Sequence, residues 1–488
     1  MAESALPPGP TESSLSQLKR LVEDPFGLFA EAFREFGPIF TLRVFGQEPW
    51  VIAGDPELVR TIFRSSADEI HGDADAMKFL LGEHTVLFQD GETHRRERRI
   101  LTPPFKHERM VGYAARMLAR TDEALSRLRP GQSIVVQDLM QDISLAVIVE
   151  CMFGVEAPER RDRLAALFAR HLAAMQTGPM GGLAMALGGA RVRSMIRRGT
   201  DLRRRHAQTE GPLPDSRIGW VRFFDTKAEM DAMLRDELAR CRADTSGRDD
   251  VLALLASSTY DDGSRMSDDA LLDELFALLI GGHETSAITL AWTMHALLRH
   301  PEVLARLRNE LRDAFGDGPV TAKGLDKLIY LPAVIDETMR LYPVATSVPR
   351  KLTAALDIGG RVLPAGTRVF PAPAVLHFRD DLWDAPDAFR PERFLESRPS
   401  PFHYLPFGGG SRACLGRPFA QMEMRLILAS LVQRVDVEPS ASAATKPILR
   451  GILVGPSDGV PVTVIRVRTP NAPISDCDGV EVSPTIGG

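Results

Sequence analysis

The stretch Phe407-Gly-Gly-Gly-Ser-Arg-Ala-Cys-Leu-Gly416 decides how the rest of this sequence is interpreted. Three glycines precede Cys414, and the residues from Arg417 onward have the pattern of a helix. The cysteine therefore stands where a glycine-rich turn enters a helix N-terminus, at which backbone N–H groups point outward. Such donors favour the thiolate, the form of cysteine that binds metal ions, and Arg412 adds a cation beside the sulfur.

This arrangement suits a large, flat, anionic ligand that is bound through sulfur. Haem is such a ligand, and a cysteine thiolate on its iron favours cleavage of the O–O bond. The alternative is a buried free cysteine after a glycine turn, the commonest state of an intracellular cysteine. The segment taken alone leaves both interpretations open.

Composition describes an ordinary globular protein. The chain has 488 residues, of which 44% are hydrophobic and 25% charged, and its net charge of −6 is too small to indicate nucleic-acid binding. Its length alone would suggest about three domains. Cys151, Cys241, Cys414 and Cys477 are scattered without zinc-type spacing, which favours a reducing compartment. We find neither a signal-peptide pattern nor an uncharged apolar run of about 18 residues, so we expect a cytoplasmic protein without a transmembrane segment.

Hydrophobic periodicity predicts that most of the chain is helical. The predicted helices are 17–36, 55–64, 92–100, 105–127, 137–153, 158–175, 225–243, 267–299, 331–341 and 416–433. The predicted strands are 39–45, 49–53, 435–437, 449–454 and 462–467. Residues 1–16 are expected to form a flexible arm and residues 469–488 a disordered tail.

The longest predicted helix contains two adjacent glycines, Gly281 and Gly282. Each costs about 1 kcal/mol relative to alanine in a helix interior, and such violations tend to mark function. The glycines would open space for a ligand, with Glu284 and Thr285 beside the opening to carry protons. A close crossing with another helix explains them equally well.

Two further regions are candidates for function. Residues 71–90 are irregular, and long irregular loops in compact proteins tend to be functional. Residues 178–190 are small and apolar and are followed by a basic run, residues 191–205. This pattern fits a mobile lid followed by a solvated helix better than a membrane-surface segment.

Four separated segments together resemble the cytochrome P450 family, the haem-thiolate monooxygenases. Phe407-x-x-Gly410-x-Arg412-x-Cys414-x-Gly416 matches the haem-binding signature at every fixed position, and Gly281-Gly-His-Glu-Thr285 matches the oxygen-activation motif. Glu337-x-x-Arg340 matches the buried Glu/Arg pair, and Pro391-Glu-Arg393-Phe matches the meander motif. They occur in the family's order, and the resemblance covers roughly residues 15–467.

The resemblance implies one haem-centred domain over residues 17–468, mainly α with small β-sheets, in place of three domains. It makes Cys414 the axial ligand of haem b, iron protoporphyrin IX. It gives Glu284 and Thr285 the delivery of the protons that let the O–O bond of O₂ break. Glu337, Arg340 and Arg393 become a buried structural triad.

The same resemblance implies which residues bind the cofactor. They are His94, Arg98, Arg350, Phe407, Arg412 and Gly416, and the four basic ones would contact the haem propionates. One departure is that many relatives have tryptophan where this chain has His94, so the hydrogen bonding there differs.

The substrate-contact regions of the family correspond here to residues 71–90, 176–215, 276–281, 345–348 and 451–454. The pocket candidates are Phe79, Leu87, Phe276, Ala277, Ile280, Gly281, Thr346, Val348, Ile452 and Leu453. Their mostly apolar character suggests a fatty acid, a terpenoid or a polyketide. The sequence looks most like soluble bacterial members that oxidise fatty acids and terpenes, and such a role belongs to bacterial secondary metabolism.

No flavin or NADPH-binding domain is expected, so electrons would come from NAD(P)H through a ferredoxin or flavodoxin and its reductase. Arg95, Arg96, Arg99, Arg417 and Arg425 are a candidate docking surface for an acidic carrier, and solvated surface arginines are the alternative.

Three functions are compatible with these features. The first is a hydroxylase or epoxidase that uses O₂ and external electrons. The second is a peroxide-driven peroxygenase or decarboxylase, or a haem-dependent isomerase, but such enzymes typically lack the acid–alcohol pair that Glu284 and Thr285 provide. The third is a non-catalytic scaffold, which the intact Cys414 opposes.

Overall fold

The computed structural model describes residues 6–74, 77–155, 157–176, 219–245, 247–440 and 444–469, together with scattered positions between 194 and 209. The predicted lid over 178–190, most of the region 176–215, Cys477 and nearly all of the predicted tail lie outside the described residues.

Helices dominate the part of the chain that the structure describes. They are α1 (Ser14–Glu23), α2 (Pro25–Phe36), α3 (Pro56–Arg64), α4 (Lys78–Leu81), α5 (Gly91–Leu101), α6 (His107–Ser126), α7 (Val136–Phe153), α8 (Pro158–Gln176), α9 (Gly219–Ala243), α10 (Val251–Ser257), α11 (Asp268–Arg299), α12 (Pro301–Phe315), α13 (Ala322–Leu325), α14 (Tyr330–Leu341), α15 (Pro373–Leu376), α16 (Arg393–Glu396) and α17 (Arg417–Arg434).

The strands form small, separate sheets. They are β1 (Ile39–Leu42), β2 (Trp50–Ala53), β3 (Ile70–Gly72), β4 (Ser133–Val135), β5 (Arg350–Leu352), β6 (Leu356–Asp357), β7 (Val362–Leu363), β8 (Arg368–Pro371), β9 (Val435–Pro439), β10 (Pro447–Arg450), β11 (Leu453–Pro456) and β12 (Pro461–Val467). A five-stranded sheet has the order β1-β2-β8-β5-β3, in which β2 and β8 are parallel. A three-stranded sheet has the order β4-β12-β9, and β6–β7 and β10–β11 are hairpins. The predicted fold class, mainly α with small β-sheets, is confirmed.

Helix α11 is the central element of the main core. Ser267 caps it by accepting a hydrogen bond from the Ala270 N–H at 3.2 Å, and most of its side chains are buried. It packs against α7, α14 and α17 in the largest cluster of buried apolar residues. A helix that is apolar all round must be enclosed by other elements, and this one is.

This helix is also the one described element that is long and apolar enough to cross a bilayer. The protein buries 67% of its most apolar window, as is usual for the core helix of a globular protein.

Several predicted boundaries are wrong in detail. The predicted helix 17–36 is two helices, because Asp24 accepts a hydrogen bond from the Gly27 N–H and starts α2 at Pro25. The predicted strand 449–454 is the hairpin β10–β11, which turns at Gly451 with φ +65°. Helices α4, α10, α12, α13, α15 and α16 and strands β3 and β4 were not predicted.

The N-terminal segment is better ordered than expected. The carbonyl oxygens of Pro7 and Pro8 accept hydrogen bonds from the Thr41 hydroxyl at 2.7 Å and the Thr41 N–H at 2.9 Å. Ser13 caps α1, which begins at Ser14. The prediction of a flexible arm through residue 16 is therefore wrong for these residues.

Candidate active site

The segment Phe407–Gly416 is a tight loop that a backbone hydrogen bond closes. The Cys414 N–H donates to the Phe407 carbonyl oxygen at 2.9 Å. A Cβ at Gly409 would lie 2.3 Å from the Phe63 ring of α3, and Gly410 has φ +68°. Glycine is therefore required at both positions, so that the loop can lie against α3.

The Cys414 thiol lies just before the N-terminus of α17, where the sequence predicted it, and it is exposed to solvent. The surrounding protein removes water from the thiol, and this desolvation raises the pKa of Cys414. The N–H groups of Gly416 and Arg417 and the Arg98 cation act in the opposite direction and favour the thiolate. Because residue 414 is exposed although protein surrounds much of its thiol, Cys414 lies in a recess, and the interpretation as a buried structural cysteine does not hold.

The two adjacent glycines of α11 have different surroundings. A Cβ at Gly282 would lie 2.3 Å from Ile148 Cδ1, so this glycine allows the close crossing with α7. A Cβ at Gly281 would have no atom within 4 Å, and this residue is exposed although it lies in a mostly buried helix. One glycine packs against a neighbour, and the other leaves open space beside the helix.

Thr285 and Glu284 lie one turn further along α11. The Thr285 hydroxyl donates to the Gly281 carbonyl oxygen at 2.8 Å, the i−4 hydrogen bond expected for a threonine in a helix. Burial raises the pKa of Glu284, and the positive charge of Arg450 acts against this increase. Glu284 therefore holds its proton to a higher pH than an exposed glutamate does.

The predicted basic residues form one cluster around the cysteine loop. Arg98 donates to the Ala413 carbonyl oxygen at 2.5 Å, and Arg350 donates to those of Pro349 and Gly409 at 2.8 and 3.2 Å. Burial lowers the pKa of Arg350 to about 10, with a contribution from the Arg412 charge.

His94 is the fourth member of this basic cluster. Burial and the charges of Arg412 and Arg98 lower the pKa of His94 to about 4. His94 is therefore neutral near pH 7 and offers one N–H donor.

The chemistry of this cluster fits the two carboxylates of haem. Three arginines gather at one place. Asp90 pairs with Arg412, while Arg98 and Arg350 donate hydrogen bonds to backbone carbonyl oxygens. Buried cations need anions nearby. A recessed thiol, a surplus of positive charge and the open face at Gly281 together fit an anionic, planar iron cofactor with a sulfur ligand.

The predicted triad is assembled in full. Glu337 binds Arg340 at 2.8 and 2.9 Å and Arg393 at 3.1 Å, and the Glu337 and Arg340 side chains are completely buried. The remaining arginine donors reach the carbonyl oxygens of residues 377, 384, 385, 386 and 388 in the segment before α16. The triad therefore fastens α14 to this segment.

His377 extends the network towards the cysteine loop, and the sequence did not single it out. Its Nδ1 lies 3.1 Å from the Arg340 carbonyl oxygen, and its Nε2 accepts the Leu405 N–H at 3.0 Å. Burial and the Arg340 charge lower the pKa of His377 to about 3, so the ring is neutral with its proton on Nδ1. Leu405 lies two residues before the loop, which this bond helps to hold.

Glu423 is a second buried group that the sequence did not identify. It lies on α17 and accepts a hydrogen bond from the Ser144 hydroxyl of α7 at 2.8 Å. Burial raises the pKa of Glu423 to about 7, and the hydroxyls of Ser286 and Ser144 oppose the increase. The helix that follows the cysteine thus contacts α11 one residue beyond Thr285. A lone glutamate in an apolar helix gives no sequence signal for this contact.

The pocket candidates fall into three groups. Gly281 is exposed, Ile280, Val348 and Leu453 are half-buried, and Val348 lies beside the cysteine loop, 3.6 Å from the Cβ position of Gly408. Phe276, Ala277 and Thr346 are buried, and Phe276 contacts His171 of α8 with ring centroids 5.4 Å apart. Leu87 and Ile452 are exposed at 45% and 60%, and the side chain of Phe79 lies outside the described residues.

The five arginines of the candidate docking surface are largely paired within the protein. Arg95 pairs with Glu92 at 2.7 Å, Arg96 with Asp262 at 2.9 Å, and Arg99 with Asp261. Arg417 lies over the Phe407 ring, 5.5 Å from its centroid, and Arg425 is half-buried. The turn between α10 and α11 thus covers part of the basic face of α5.

Comparison with known proteins agrees with this geometry. The family model for cytochrome P450 matches residues 5–179 and 222–461. Cytochrome P450 135B1 of Mycobacterium tuberculosis is 32% identical over 471 residues, covering 96% of this chain and 93% of that protein. Cytochrome P450 138 of the same organism is 31% identical over 466 residues, covering 94% and 96%.

Solved structures show the same fold. The retinoic acid-bound cyanobacterial CYP120A1 superimposes with a TM-score of 0.77 at 24% identity, covering 95% of this chain and all of that one. The haem domain of cytochrome P450DA gives 0.77 at 25% identity, covering 95% and 98%. With a family model that matches most of its length and relatives more than 30% identical, the chain belongs to the cytochrome P450 family of haem-thiolate monooxygenases.

Proposed function

We propose that this cytochrome P450 inserts one oxygen atom of O₂ into an apolar small molecule, a fatty acid, a terpenoid or a polyketide, by hydroxylation or epoxidation. The observation that carries the proposal is the arrangement on α11, where Glu284 and Thr285 follow the open face at Gly281. The same pair of residues argues against a peroxide-driven peroxygenase or decarboxylase and against an isomerase, which need no proton delivery to O₂.

The cofactor in this proposal is haem b, which supplies the iron at which O₂ is activated. The Cys414 thiolate would bind its iron, and Phe407 and Gly416 shape the loop around the sulfur. His94, Arg98, Arg350 and Arg412 would hold the propionates, because these four groups converge beside the cysteine loop.

The acid–alcohol pair moves protons. Burial raises the pKa of Glu284, so this carboxyl holds its proton to a higher pH than an exposed glutamate does, which suits the role of proton donor. The Thr285 hydroxyl donates to the Gly281 carbonyl oxygen, so its own oxygen stays available as an acceptor towards the open face. In this proposal Glu284 supplies the proton, and the Thr285 hydroxyl passes it on at the open face of α11.

The triad of Glu337, Arg340 and Arg393 has a structural role in this proposal. It holds the segment before α16, and through His377 it also holds the residues that enter the cysteine loop. Its contribution to catalysis is to keep Cys414 in place.

The substrate is inferred to be apolar because, apart from Glu284, the half-buried candidate residues near the open face are uncharged. Ile280, Val348 and Leu453 form the inner wall of the proposed pocket, and Phe276, Ala277 and Thr346 support it from behind. Leu87, Ile452 and Phe79 remain proposed contacts at its entrance.

Electrons are proposed to come from NAD(P)H through a reductase and a small ferredoxin or flavodoxin in the cytoplasm. An acidic carrier would dock on the arginines of α5 and α17, because opposite charge speeds encounter and orients the partner. Arg417 lies over the Phe407 ring of the cysteine loop, so that end of the surface adjoins the proposed haem site.

A substrate screen and an isotope experiment test this function. A panel of fatty acids, terpenoids and polyketides is titrated into the haem-loaded protein, and compounds that change the iron spin state are turned over with a ferredoxin system under ¹⁸O₂. We expect one ¹⁸O atom in the product. A product that carries oxygen only from peroxide or water, or that is an isomer of the substrate, would contradict the proposal.

A further inference from the structure

We propose that Asp90 is a positioning residue for the haem site: it orients Arg412, offsets its charge and thereby lowers the reduction potential of the bound iron. The inference rests on the proposed role of Arg412 as a haem-propionate partner. Asp90 is a loop residue that belongs to none of the four sequence motifs.

Asp90 occupies the N-cap position of α5, but its side chain does not cap the helix. It immediately precedes α5, where an aspartate normally accepts N–H groups of the first helical turn, yet its side chain makes no such bond. Instead one carboxylate oxygen accepts the Gly72 N–H at 3.0 Å and pairs with Arg412. The other oxygen lies 3.3 Å from His71 Nδ1. The carboxylate is diverted from the helix to the cation cluster.

The Arg412 guanidinium is fixed along one edge. It donates to the carbonyl oxygens of Gln89 at 2.6 Å and Leu87 at 3.4 Å as well as to Asp90, and only 13% of the side chain is exposed. A Cβ at Gly72 would lie 2.6 Å from Arg412 Nη1, so β3 presses against the same edge. These bonds use the terminal nitrogens and leave Nε–H for an anion beside the cysteine loop.

Asp90 also sets the charge of the site. Arg98 and Arg350 bind backbone carbonyl oxygens, whereas Arg412 carries an ion pair. Replacing Asp90 by a neutral residue adds one positive charge beside the propionates. Positive charge near the iron stabilises the reduced, less positive state, so the potential should rise.

Water moderates the size of this effect. A cavity of about 260 Å³ reaches Asp90 and is lined by His71, Lys78, Lys351 and Thr353 among others. Solvent and these polar groups screen the carboxylate, so we expect a moderate rather than a large shift.

The test is the midpoint potential of the haem-loaded Asp90→Asn variant. Asparagine keeps the size, the oxygen acceptor and the capping preference of aspartate but not its charge. We expect a shift of about 30 mV to more positive values, which corresponds to roughly a threefold change in a one-electron equilibrium. Asp90→Ser, a smaller residue that also suits this position, provides the same test if asparagine impairs folding.

Matched variants isolate the charge effect. Asp73 pairs with Arg368 in the same part of the fold, with side chains 11% and 12% exposed, so Asp73→Asn should leave the potential unchanged. Asp90→Glu should retain the wild-type value. An unchanged potential in both neutral variants, or an equal shift in Asp73→Asn, would overturn the proposal.

These measurements need only bound, reducible haem. They are therefore independent of whether the protein oxidises an apolar substrate, which the isotope experiment decides.

Discussion

Glu337 and Arg393 lie 56 residues apart in the sequence, and their side chains meet at 3.1 Å inside the protein. Arg340 joins them from the same helix as Glu337, so one carboxylate serves two guanidinium groups with almost no exposure to water. A buried ion pair is not by itself strong evidence for stability, but removing one partner leaves a buried charge that nothing compensates.

Glu337→Gln should therefore destabilise the protein strongly. The change leaves the Arg340 and Arg393 cations in the interior without their carboxylate, and we expect a loss of about 3–5 kcal/mol in the free energy of unfolding. Urea unfolding followed by circular dichroism measures it, and haem loss should accompany it because the cysteine loop is released.

Glu92→Gln is the matched control. Glu92 also pairs with an arginine, Arg95, but the two side chains are 74% and 63% exposed, so the change should cost no more than about 1 kcal/mol. Equal losses for the two variants would show that the buried carboxylate has no special structural role.

Cys414→Ser should abolish the thiolate signature of the reduced carbon monoxide complex. A serine oxygen in the same recess is a poorer electron donor, so the Soret band should move to the position typical of non-thiolate ligands. Cys151→Ser changes a buried cysteine elsewhere and should leave the band in place. An unchanged spectrum in the Cys414 variant would show that the iron ligand lies elsewhere.

Thr285→Ala should uncouple electron consumption from product formation. The variant loses the hydroxyl beside the open face, and we expect several-fold more hydrogen peroxide and less product per NAD(P)H. Coupling is measured with the substrate that the screen identifies.

Thr293→Ala separates proton delivery from the effect on the helix. Thr293 makes the same i−4 hydrogen bond, from its hydroxyl to the Thr289 carbonyl oxygen at 2.8 Å, but it is completely buried two turns further along α11. The Thr293→Ala variant should lose stability, but its electron consumption should stay coupled to product formation. If both variants leak peroxide equally, helix geometry rather than the Thr285 hydroxyl controls coupling.

Much of the fold and site could be predicted because spacing carries the information. Cys414, Thr285 and the Glu337 triad are recognised from short segments whose residues must lie at fixed intervals. Helical periodicity likewise located α5, α7 and α11 to within a few residues.

The remaining features depend on contacts between distant segments. The diverted Asp90 carboxylate, the tautomer of His377 and the contact of Glu423 with α11 each involve a partner far along the chain. A local pattern cannot distinguish a capping aspartate from one that is recruited by an arginine more than 300 residues away. The same reason explains why the acidic partners of Arg96 and Arg99 could not be identified from the sequence.

The turn that covers α5 should weaken the docking of an acidic electron carrier. Asp261 and Asp262 pair with Arg99 and Arg96, so an acidic partner must compete with them. At low salt the double variant Asp261→Asn with Asp262→Asn should bind an acidic ferredoxin about two- to threefold more tightly than the wild type does. At high salt, where charges are screened, the difference in affinity should be smaller. Titration monitored by reduction rate measures the affinity.

Asp236→Asn is a control for the removal of an acidic charge elsewhere on the surface. Asp236 forms an equally exposed pair with Arg240 on α9, and its replacement should leave the affinity unchanged. If it tightens binding as much as the double variant does, the turn between α10 and α11 has no specific influence on the docking surface.

Glu274 should make stability depend on pH. It is buried on α11 and accepts a hydrogen bond from the Val86 N–H, and the neighbouring Asp273 accepts those of Glu83 and His84, so the two carboxyls hold the loop before α5. Burial raises the pKa of Glu274 to about 8, well above the value of an unfolded glutamate, about 4.3.

The sign follows from this difference in pKa. Between about pH 4.5 and 8 the folded protein retains a proton that the unfolded chain releases, so the contribution of Glu274 to stability is present at low pH and is lost as the pH rises. Glu274→Gln keeps the shape without titrating. Its free energy of unfolding relative to the wild type should therefore increase by about 1–3 kcal/mol from pH 5 to pH 8, as measured in urea.

Glu92→Gln should show a change within about 0.5 kcal/mol over the same range. A constant difference between Glu274→Gln and wild type would mean that Glu274 is ionised in the folded protein, and that the loop before α5 is held by a charged rather than a neutral carboxyl.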